Sequence, residues 1–559
     1  MKLDNNAIKQ ILVKGNYISK EELAKVEAEV KRNKNDLIDY LFTQGILTKD
    51  LLGQAIAEAF GVMYADLNTN IPSRQDVLVI PKEIGKQYRA VMYADNKSEV
   101  IIATDAPDAQ GLVDAMKQIF KQRTIRIAYG LTEDIDSLLV HYREPLETRV
   151  QKIIQQSDRI APEVVVEIID DAIVDRASDI HFEPQENEVI IRIRIDGVLQ
   201  EAGRIEKQYY DNILNLIKVN AHMRIDEHSS AQDGSMRIKK GTKTIDMRVS
   251  VVPTLDGEKI TIRILSEYVK RFSLSEIGLS EPDQDLLIEA SKRPFGMILV
   301  TGPTGAGKTS TLYAVLRILN SPEVNVTTIE DPVEYKIKGV NHIQVNKETN
   351  LTFSKGLRSI VRQDPDVILV GEIRDQETAE IAVNAALTGH LLLSTFHAND
   401  APTAIPRLRD MGIESFLLAS TLELIVAQRL VRKICQTCRV SKNYKISDLE
   451  EKHPQIKGYF SEKEVRLYES KGCDACNYTG YTGRSAIFEF INMTREMKDL
   501  ILNDPSTSEI WALATEQGAH SMFEDGMEKV IRGVTSISEV LRVAPPIQTK
   551  HLRKSAKKK

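Results

Sequence analysis

One short segment constrains the fold of this chain more than any other. Gly302-Pro303-Thr304-Gly305-Ala306-Gly307-Lys308-Thr309 satisfies G-x-x-x-x-G-K-[ST], and its flanks are those the motif requires. Met297-Ile298-Leu299-Val300-Thr301 is a short apolar run fit for a buried parallel strand, and Ser310–Leu319 reads as the helix that follows. Glycines let the backbone curl until several N–H groups face one anion, and a helix amino terminus adds positive potential. Gly302 to Ser310 are therefore the expected nucleotide cradle. Lys308 would neutralise the β- and γ-phosphates, and the Thr309 hydroxyl would ligate Mg²⁺.

Carboxylates gather where such a cradle needs them. Asp366-Val367-Ile368-Leu369-Val370-Gly371-Glu372 is an apolar strand ending in an acid. Ligands of parallel sheets sit at the carboxyl ends of the strands, which puts Glu372 beside the phosphate loop, able to hold the Mg²⁺ shell through water. A second short β-rich run leads into Glu330-Asp331-Pro332-Val333-Glu334-Tyr335. Its carboxylates are either a solvated acidic loop or the group that orients and deprotonates the attacking water. His390 and His397 bracket a third apolar run, and each is either a structural histidine or a γ-phosphate sensor.

The remainder of the chain is read as further domains. The protein has 559 residues, 42% hydrophobic and 28% charged, with a formal net charge of -6. The length corresponds to about three to four domains, and the mild negative charge argues against a dedicated nucleic-acid binder. Candidate apolar runs such as Val367–Val370 are strand-sized, far below the roughly 20 residues of a membrane helix. The opening MKLDNNAIKQ lacks the apolar core of a signal peptide, so a cytoplasmic protein with only peripheral membrane contact is expected.

The expected organisation begins with a docking region over 1–140, a helical repeat over 1–60 and an α+β unit over 61–140. In the repeat, Gly15 and Gly45 stop helices, and Ser19 and Thr48 cap the next ones. Val77–Ile80 and Val100–Ala103 read as strands. A linker or long exposed helix follows over 141–160, and then a second α+β domain over 161–270. There Glu188–Arg194 and Lys243–Val252 alternate as half-buried strands do. An α/β phosphate-loop domain is expected over 271–545, and a basic, disordered tail over 546–559.

All four cysteines lie in one stretch of the phosphate-loop domain, as Cys435-Gln436-Thr437-Cys438 and Cys473-Asp474-Ala475-Cys476. Two C-x₂-C turns bring four thiolates to one tetrahedral centre and leave no open position, the mark of structural Zn²⁺. The expected insert spans about 430–485.

Taken together, Glu330–Glu334, Gly371-Glu372-Ile373-Arg374-Asp375 and Thr388-Gly389-His390 resemble the aspartate box, Walker B strand and histidine box of the type IV pilus assembly and type II secretion ATPases. Ser394–Pro402 extends the likeness, with Phe396 and Ala398 departing from the usual leucine and threonine, and Ala427-Gln428-Arg429-Leu430 and Gly480–Glu489 match as well. Ala177–Pro184 and Arg192–Gly197 resemble that family's second N-terminal domain. The likeness is strong over about 160–545 and weak before it.

The resemblance implies a RecA-like ATPase domain with a zinc-binding insert, a PAS-like α+β domain before it, and a homohexamer using ATP, Mg²⁺ and Zn²⁺. It implies Glu334 as general base, Glu372 as Walker B acid and His397 or His390 at the γ-phosphate. Arg192 and Arg194 become arginine fingers reaching across the ring, where their pattern alone gives only the charged face of a strand. Implied partners are an inner-membrane platform protein and a cytoplasmic docking component at the inner face of the membrane, with no direct nucleic acid. Retraction-type relatives usually lack the cysteine insert, which points to an assembly motor. In one departure, the arginine usual after Gln232-Asp233-Gly234 is Ser235, leaving Arg237 or Arg248 as substitutes.

Two rival functions stand beside this one: a DNA-uptake or conjugation motor, and a regulatory module whose N-terminal repeat binds a signalling nucleotide. Relatives that bind cyclic di-GMP begin each repeat Arg-Leu-Gly, whereas this chain has Asn6-Ala7-Ile8 and Asp36-Leu37-Ile38. Without the planar guanidinium the docking reading is preferred.

Overall fold

The computed structural model describes residues 5–546 except 34–36, 38–40, 42–46, 68, 69, 97, 122, 140, 141, 143–145, 157–159, 241, 242, 266–272, 347, 474 and 475. Gly45, Asp36, Ile38 and the tail from 547 onward, all invoked above, lie outside those residues. The chain divides into two compact units, Met1–Ile18 with Thr48–Arg271 and Ser19–Leu47 with Phe272–Lys559. Among the described residues no helix is long and apolar enough to cross a membrane.

The helix Asn5–Lys14 is followed by Asn16, whose φ of 58° takes the left-handed position expected of Gly15. Ser19 opens the helix Lys20–Asn33 by accepting from Glu22 N–H at 3.1 Å, and Thr48 caps Lys49–Phe60. A four-stranded sheet follows, ordered β1-β4-β3-β2, from β1 (Met63–Tyr64), β2 (Ala90–Asp95), β3 (Glu99–Thr104) and β4 (Thr124–Tyr129). The strand expected over Val77–Ile80 is not one. Arg74–Leu78 is a helix because Ser73 and Asp76 form a reciprocal capping box, and Pro81 follows as a stop.

The stretch read as a linker or exposed helix forms the helix Leu146–Gln156, and that helix is not wholly exposed. Leu146 and Val150 are buried in the core of the next sheet. That sheet is antiparallel throughout, with strands β5 (Asp179–Pro184), β6 (Glu188–Ile195), β7 (Val198–Glu206), β8 (Gln232–Lys240), β9 (Lys243–Thr254) and β10 (Gly257–Leu265). Their order is β7-β6-β5-β10-β9-β8. Period-two alternation sends Ile180, Phe182, Ile191, Ile193, Ile260 and Ile262 to the face packed on the helices Ile160–Val174 and Tyr210–Asn220. The opposite face carries Asp179, His181 and Glu183, with Arg194 and Arg192 directly across from Asp179 and His181.

In the second unit, a seven-stranded sheet is ordered β13-β12-β14-β15-β11-β16-β19. Its strands are β11 (Gly296–Thr301), β12 (Val326–Glu330), β13 (Asn341–Gln344), β14 (Val367–Val370), β15 (Leu391–Phe396), β16 (Leu422–Ile434) and β19 (Tyr481–Asn492). All pairings are parallel except that of the edge strand β19. Both faces are covered, with Leu299, Val370 and Leu392 in one apolar cluster and Val300, Leu369 and Leu393 in another. That is why these strands read as unbroken apolar runs. The cysteine insert adds a hairpin of β17 (Arg439–Lys445) and β18 (Glu464–Ser470).

Candidate active site

The phosphate loop leaves the carboxyl end of β11 and enters the helix Lys308–Leu319. Gly302, Gly305 and Gly307 have φ of 147°, 79° and 85°, conformations only glycine adopts freely. At Gly302 the constraint is also steric, since a Cβ there would lie 2.4 Å from the Gln428 carbonyl oxygen of β16. Gln428 is wholly buried behind the loop and accepts from the Thr311 hydroxyl at 2.8 Å. This gives the Ala427–Leu430 motif a function the sequence left blank. Pro303, Thr304 and Gly305 are exposed, Ala306 is buried, and Thr309 and Ser310 are half-buried on the first helical turn. Lys308 is buried, and its Nζ donates to the Gly302 and Pro303 carbonyls at 2.8 and 3.1 Å. Burial lowers the Lys308 pKa against the pull of Glu372, so an anion in the loop meets a cation with little competing water.

Glu372 follows β14, and His397 follows β15, the strand between β14 and β11. His397 Nε2 lies 3.0 Å from Glu372 Oε2, and Arg374 pairs with the other carboxylate oxygen. Burial raises the Glu372 carboxyl, but hydrogen bonds from Arg374 and His397 more than offset this and hold it below its ordinary value. Glu372 is therefore an oriented anion at neutral pH. The loop bearing His397 is fixed to β11, because Thr301 Oγ1 donates to the Ala398 carbonyl at 3.0 Å and accepts from Ala398 N–H at 2.8 Å. It is also fixed to β19, where buried Glu489 accepts from Ala401 N–H at 2.9 Å.

The structure separates groups the sequence left together. His390 precedes β15 at its amino end, and its Nδ1 bonds the Ala385 carbonyl at 2.8 Å. A strand length of about 20 Å divides it from the phosphate-loop edge, which removes it as a γ-phosphate contact and leaves His397. The acidic cluster also divides. Glu330 is buried, accepting from Thr328 Oγ1 at 2.6 Å and from Tyr313, while Asp331 and Glu334 are exposed. Arg358, on the helix Phe353–Ile360, pairs with Glu377 at 2.8 Å.

In the antiparallel sheet, Arg192 and Arg194 are each held by a carboxylate of β5. Arg192 lies 2.6 Å from Glu183, and Arg194 lies 3.5 Å from Asp179 while donating to the Gly197 carbonyl at 3.0 Å. Their side chains remain 38% and 34% exposed, so the guanidinium groups are oriented yet accessible. Arg237, one of the two substitutes named for the missing arginine, is tied to Asp246 at 2.5 Å.

Cys435, Cys438, Cys473 and Cys476 converge with all four sulfurs within 4.8 Å of one another. The separations of 3.8, 3.9 and 3.8 Å for Cys435–Cys473, Cys438–Cys476 and Cys473–Cys476 far exceed a disulfide. They match the ~3.8 Å edge of a tetrahedron with Zn–S bonds of about 2.3 Å. Cys476 Sγ also accepts from the N–H groups of Cys473 and Gly480 at 3.2 and 3.3 Å, as knuckle thiolates do. The donor set fits zinc.

A phosphate loop on a parallel sheet, with an oriented acid and histidine on the adjoining strand ends, defines a P-loop ATPase. Residues 154–542 match the family model for type II/IV secretion system proteins, and residues 60–149 match the MshEN domain. The chain belongs to the type II/IV secretion system protein family and is an ATPase of that family. It is 43% identical over 389 residues to the type II secretion system protein E of Pseudomonas aeruginosa, covering 70% of this chain and 76% of that protein. It is 36% identical over 561 residues to the type IV pilus assembly ATPase PilB of the same species, covering 95% and 97%. The PilB of Myxococcus xanthus is 35% identical over 561 residues, covering 96% and 98%. Among solved structures the ATPase DotB of Legionella pneumophila shares the fold, with a TM-score of 0.52 at 21% identity, covering 69% of this chain and 97% of that one.

Proposed function

We propose that this ATPase is a homohexameric motor that drives assembly of a type IV pilus or a type II secretion pseudopilus. The observation that carries the reading is the oriented Glu372–His397 pair beside a complete phosphate loop, in a chain collinear over 95% of its length with a pilus assembly ATPase. The higher identity to a type II secretion protein, 43% over 389 residues, supports the secretion alternative. The motor works in the cytoplasm at the inner face of the membrane, through a platform protein and a docking component, and without direct nucleic-acid contact. Residues 1–140 dock, 161–270 move, and 271–545 hydrolyse ATP.

In this scheme Gly302–Ser310 wrap the phosphates, and Lys308 turns from the Gly302 and Pro303 carbonyls to the β- and γ-oxygens. Thr309 and Glu372 would hold Mg²⁺, which would supply positive charge against the transferring phosphoryl group. Glu334 takes the proton of the attacking water, and His397 reads the γ-phosphate. Arg192 and Arg194 of a neighbouring chain complete the charge balance, so domain movement and hydrolysis are coupled. The four cysteines would hold a structural Zn²⁺. The N-terminal region docks and does not receive a dinucleotide.

The test is a chromosomal Lys308→Ala substitution in the source organism, with surface pili and the secreted proteins both measured. Loss of pili with secretion intact supports the pilus reading, and loss of secretion alone supports the other. Normal levels of both would overturn the motor assignment.

A further inference from the structure

The loop 331–340 that carries Glu334 joins β12 to β13, and three separate contacts fasten it to buried chemistry. The first is at its root. Glu330, the last residue of β12, receives hydrogen bonds from Tyr313 on the phosphate-loop helix, from Thr328 Oγ1 at 2.6 Å and from His342 Nδ1 at 3.0 Å. Tyr313 is wholly buried, and burial together with the nearby Glu330 charge pushes its hydroxyl well above the ordinary value, so it stays a donor.

The second is at Tyr335, next to Glu334. Its ring meets Tyr313 edge-on at 4.6 Å between centroids. Arg317, one turn further along the same helix, donates to the Tyr335 hydroxyl at 3.1 Å and lies 5.5 Å from its ring centroid.

The third is at Ile337, whose N–H donates to His342 Nε2 at 3.0 Å. That nitrogen accepts, so the ring hydrogen resides on Nδ1 and points at Glu330 Oε1 and Thr328 Oγ1. His342 thus holds the loop backbone with one nitrogen and the Glu330 carboxyl with the other.

Tyr313 lies one helical turn beyond Thr309. The helix that presents Thr309 therefore also grips the acidic loop at Glu330 and Tyr335. We propose that Tyr313, Glu330 and His342 are positioning residues that set the distance between Glu334 and the phosphate loop. This inference rests on the reading of Glu334 as the base. It assigns Glu330 no proton transfer, although it belongs to the acidic motif, because its oxygens are engaged and buried.

The experiment is steady-state phosphate release from Mg·ATP by the full-length protein. It compares Tyr313→Phe, Thr328→Val, Glu334→Gln and the double variant Tyr313→Phe/Glu334→Gln, with the thermal midpoint and binding of a fluorescent ATP analogue measured for each. Tyr313→Phe keeps the ring contact and loses only the hydroxyl. The expected result is a kcat about 10-fold lower, with KM and analogue affinity within about 2-fold of wild type. In the double variant Tyr313→Phe adds no further loss to Glu334→Gln, because it acts through Glu334. Thr328→Val shows the same split with a smaller loss and serves should Tyr313→Phe not fold. A dead Glu334→Gln beside unchanged kcat in both Tyr313→Phe and Thr328→Val overturns the positioning role and leaves the base reading standing. So does a full further loss in the double variant. Wild-type turnover in Glu334→Gln overturns the base reading itself.

Discussion

The two large sheets use their surfaces differently. In the parallel sheet the chemistry sits at strand ends. Lys308, Glu372 and His397 all follow carboxyl termini of adjoining strands, while both faces are buried under apolar side chains. In the antiparallel sheet one face is only partly open, with Asp179 and His181 buried and the arginines partly exposed, and its charged groups stand along the strands. Arg192 and Arg194 stand opposite the β5 positions His181 and Asp179. The first arrangement fixes groups to within a loop's freedom and suits bond-breaking. The second presents a ladder of oriented, partly exposed guanidinium groups and suits engaging an anion brought from outside.

Breaking the strand-end side should have the larger effect. Lys308→Ala and Glu372→Ala are each expected to reduce Mg²⁺-dependent phosphate release to background, because the first removes the buried cation of the phosphate loop and the second the oriented acid that would hold Mg²⁺. Breaking the open-face side should spare binding. Under the proposed finger role, Arg194→Ala and Arg192→Ala are each expected to lower kcat by about 10²-fold, below the 10³–10⁵ of an arginine finger in GTPases because two arginines would share the task. Binding of a fluorescent ATP analogue should change little in either, and an equal loss of binding would remove the finger role.

The same contrast explains what could be read before the structure. Strand-end chemistry condenses into contiguous motifs, so Gly302–Thr309 and Gly371–Glu372 were legible with their strands and helix. Face chemistry spreads over alternate residues of distant strands, so the Arg192–Glu183 and Arg194–Asp179 pairs required the pairing of β5 with β6. Gln428 was noticed in its motif but had no role until β16 was placed beside β11. His390 and His397 look equivalent in sequence, and only strand direction separates them. Val77–Ile80 has strand-like composition, but the capping box at Ser73 and Asp76 overrode propensity.

Two smaller effects sharpen the picture within the ATPase unit. Elemental analysis of protein purified without added metal should give one zinc per chain. Cys473→Ser should lower that ratio and loosen residues 430–490 to hydrogen exchange, while ATP binding persists. A zinc ratio near zero in wild type would remove the metal site. Smaller still is the effect of pH on Glu489, whose carboxyl burial pushes up from 4.5 to about 7. The folded state then holds the proton more tightly than the unfolded state, so this group's contribution is intact below about pH 4.5 and is lost as pH rises toward 7. Between pH 5 and 8 wild type should lose up to ~3 kcal/mol of stability relative to Glu489→Gln, whose side chain does not titrate. Parallel pH profiles of the two unfolding midpoints would refute this.

The most direct test of the shared site is a mixing measurement. Arg194→Ala protein has an intact phosphate loop, and Lys308→Ala protein has an intact open face. If each strand-end site is completed by the arginines of a neighbouring chain, mixed rings contain interfaces that pair an intact loop with intact arginines. Two nearly inactive preparations should then recover phosphate release on mixing, with a maximum near equal proportions. Mixed rings that form, verified by co-purification of two tags, yet remain at the sum of the separate activities would contradict the account.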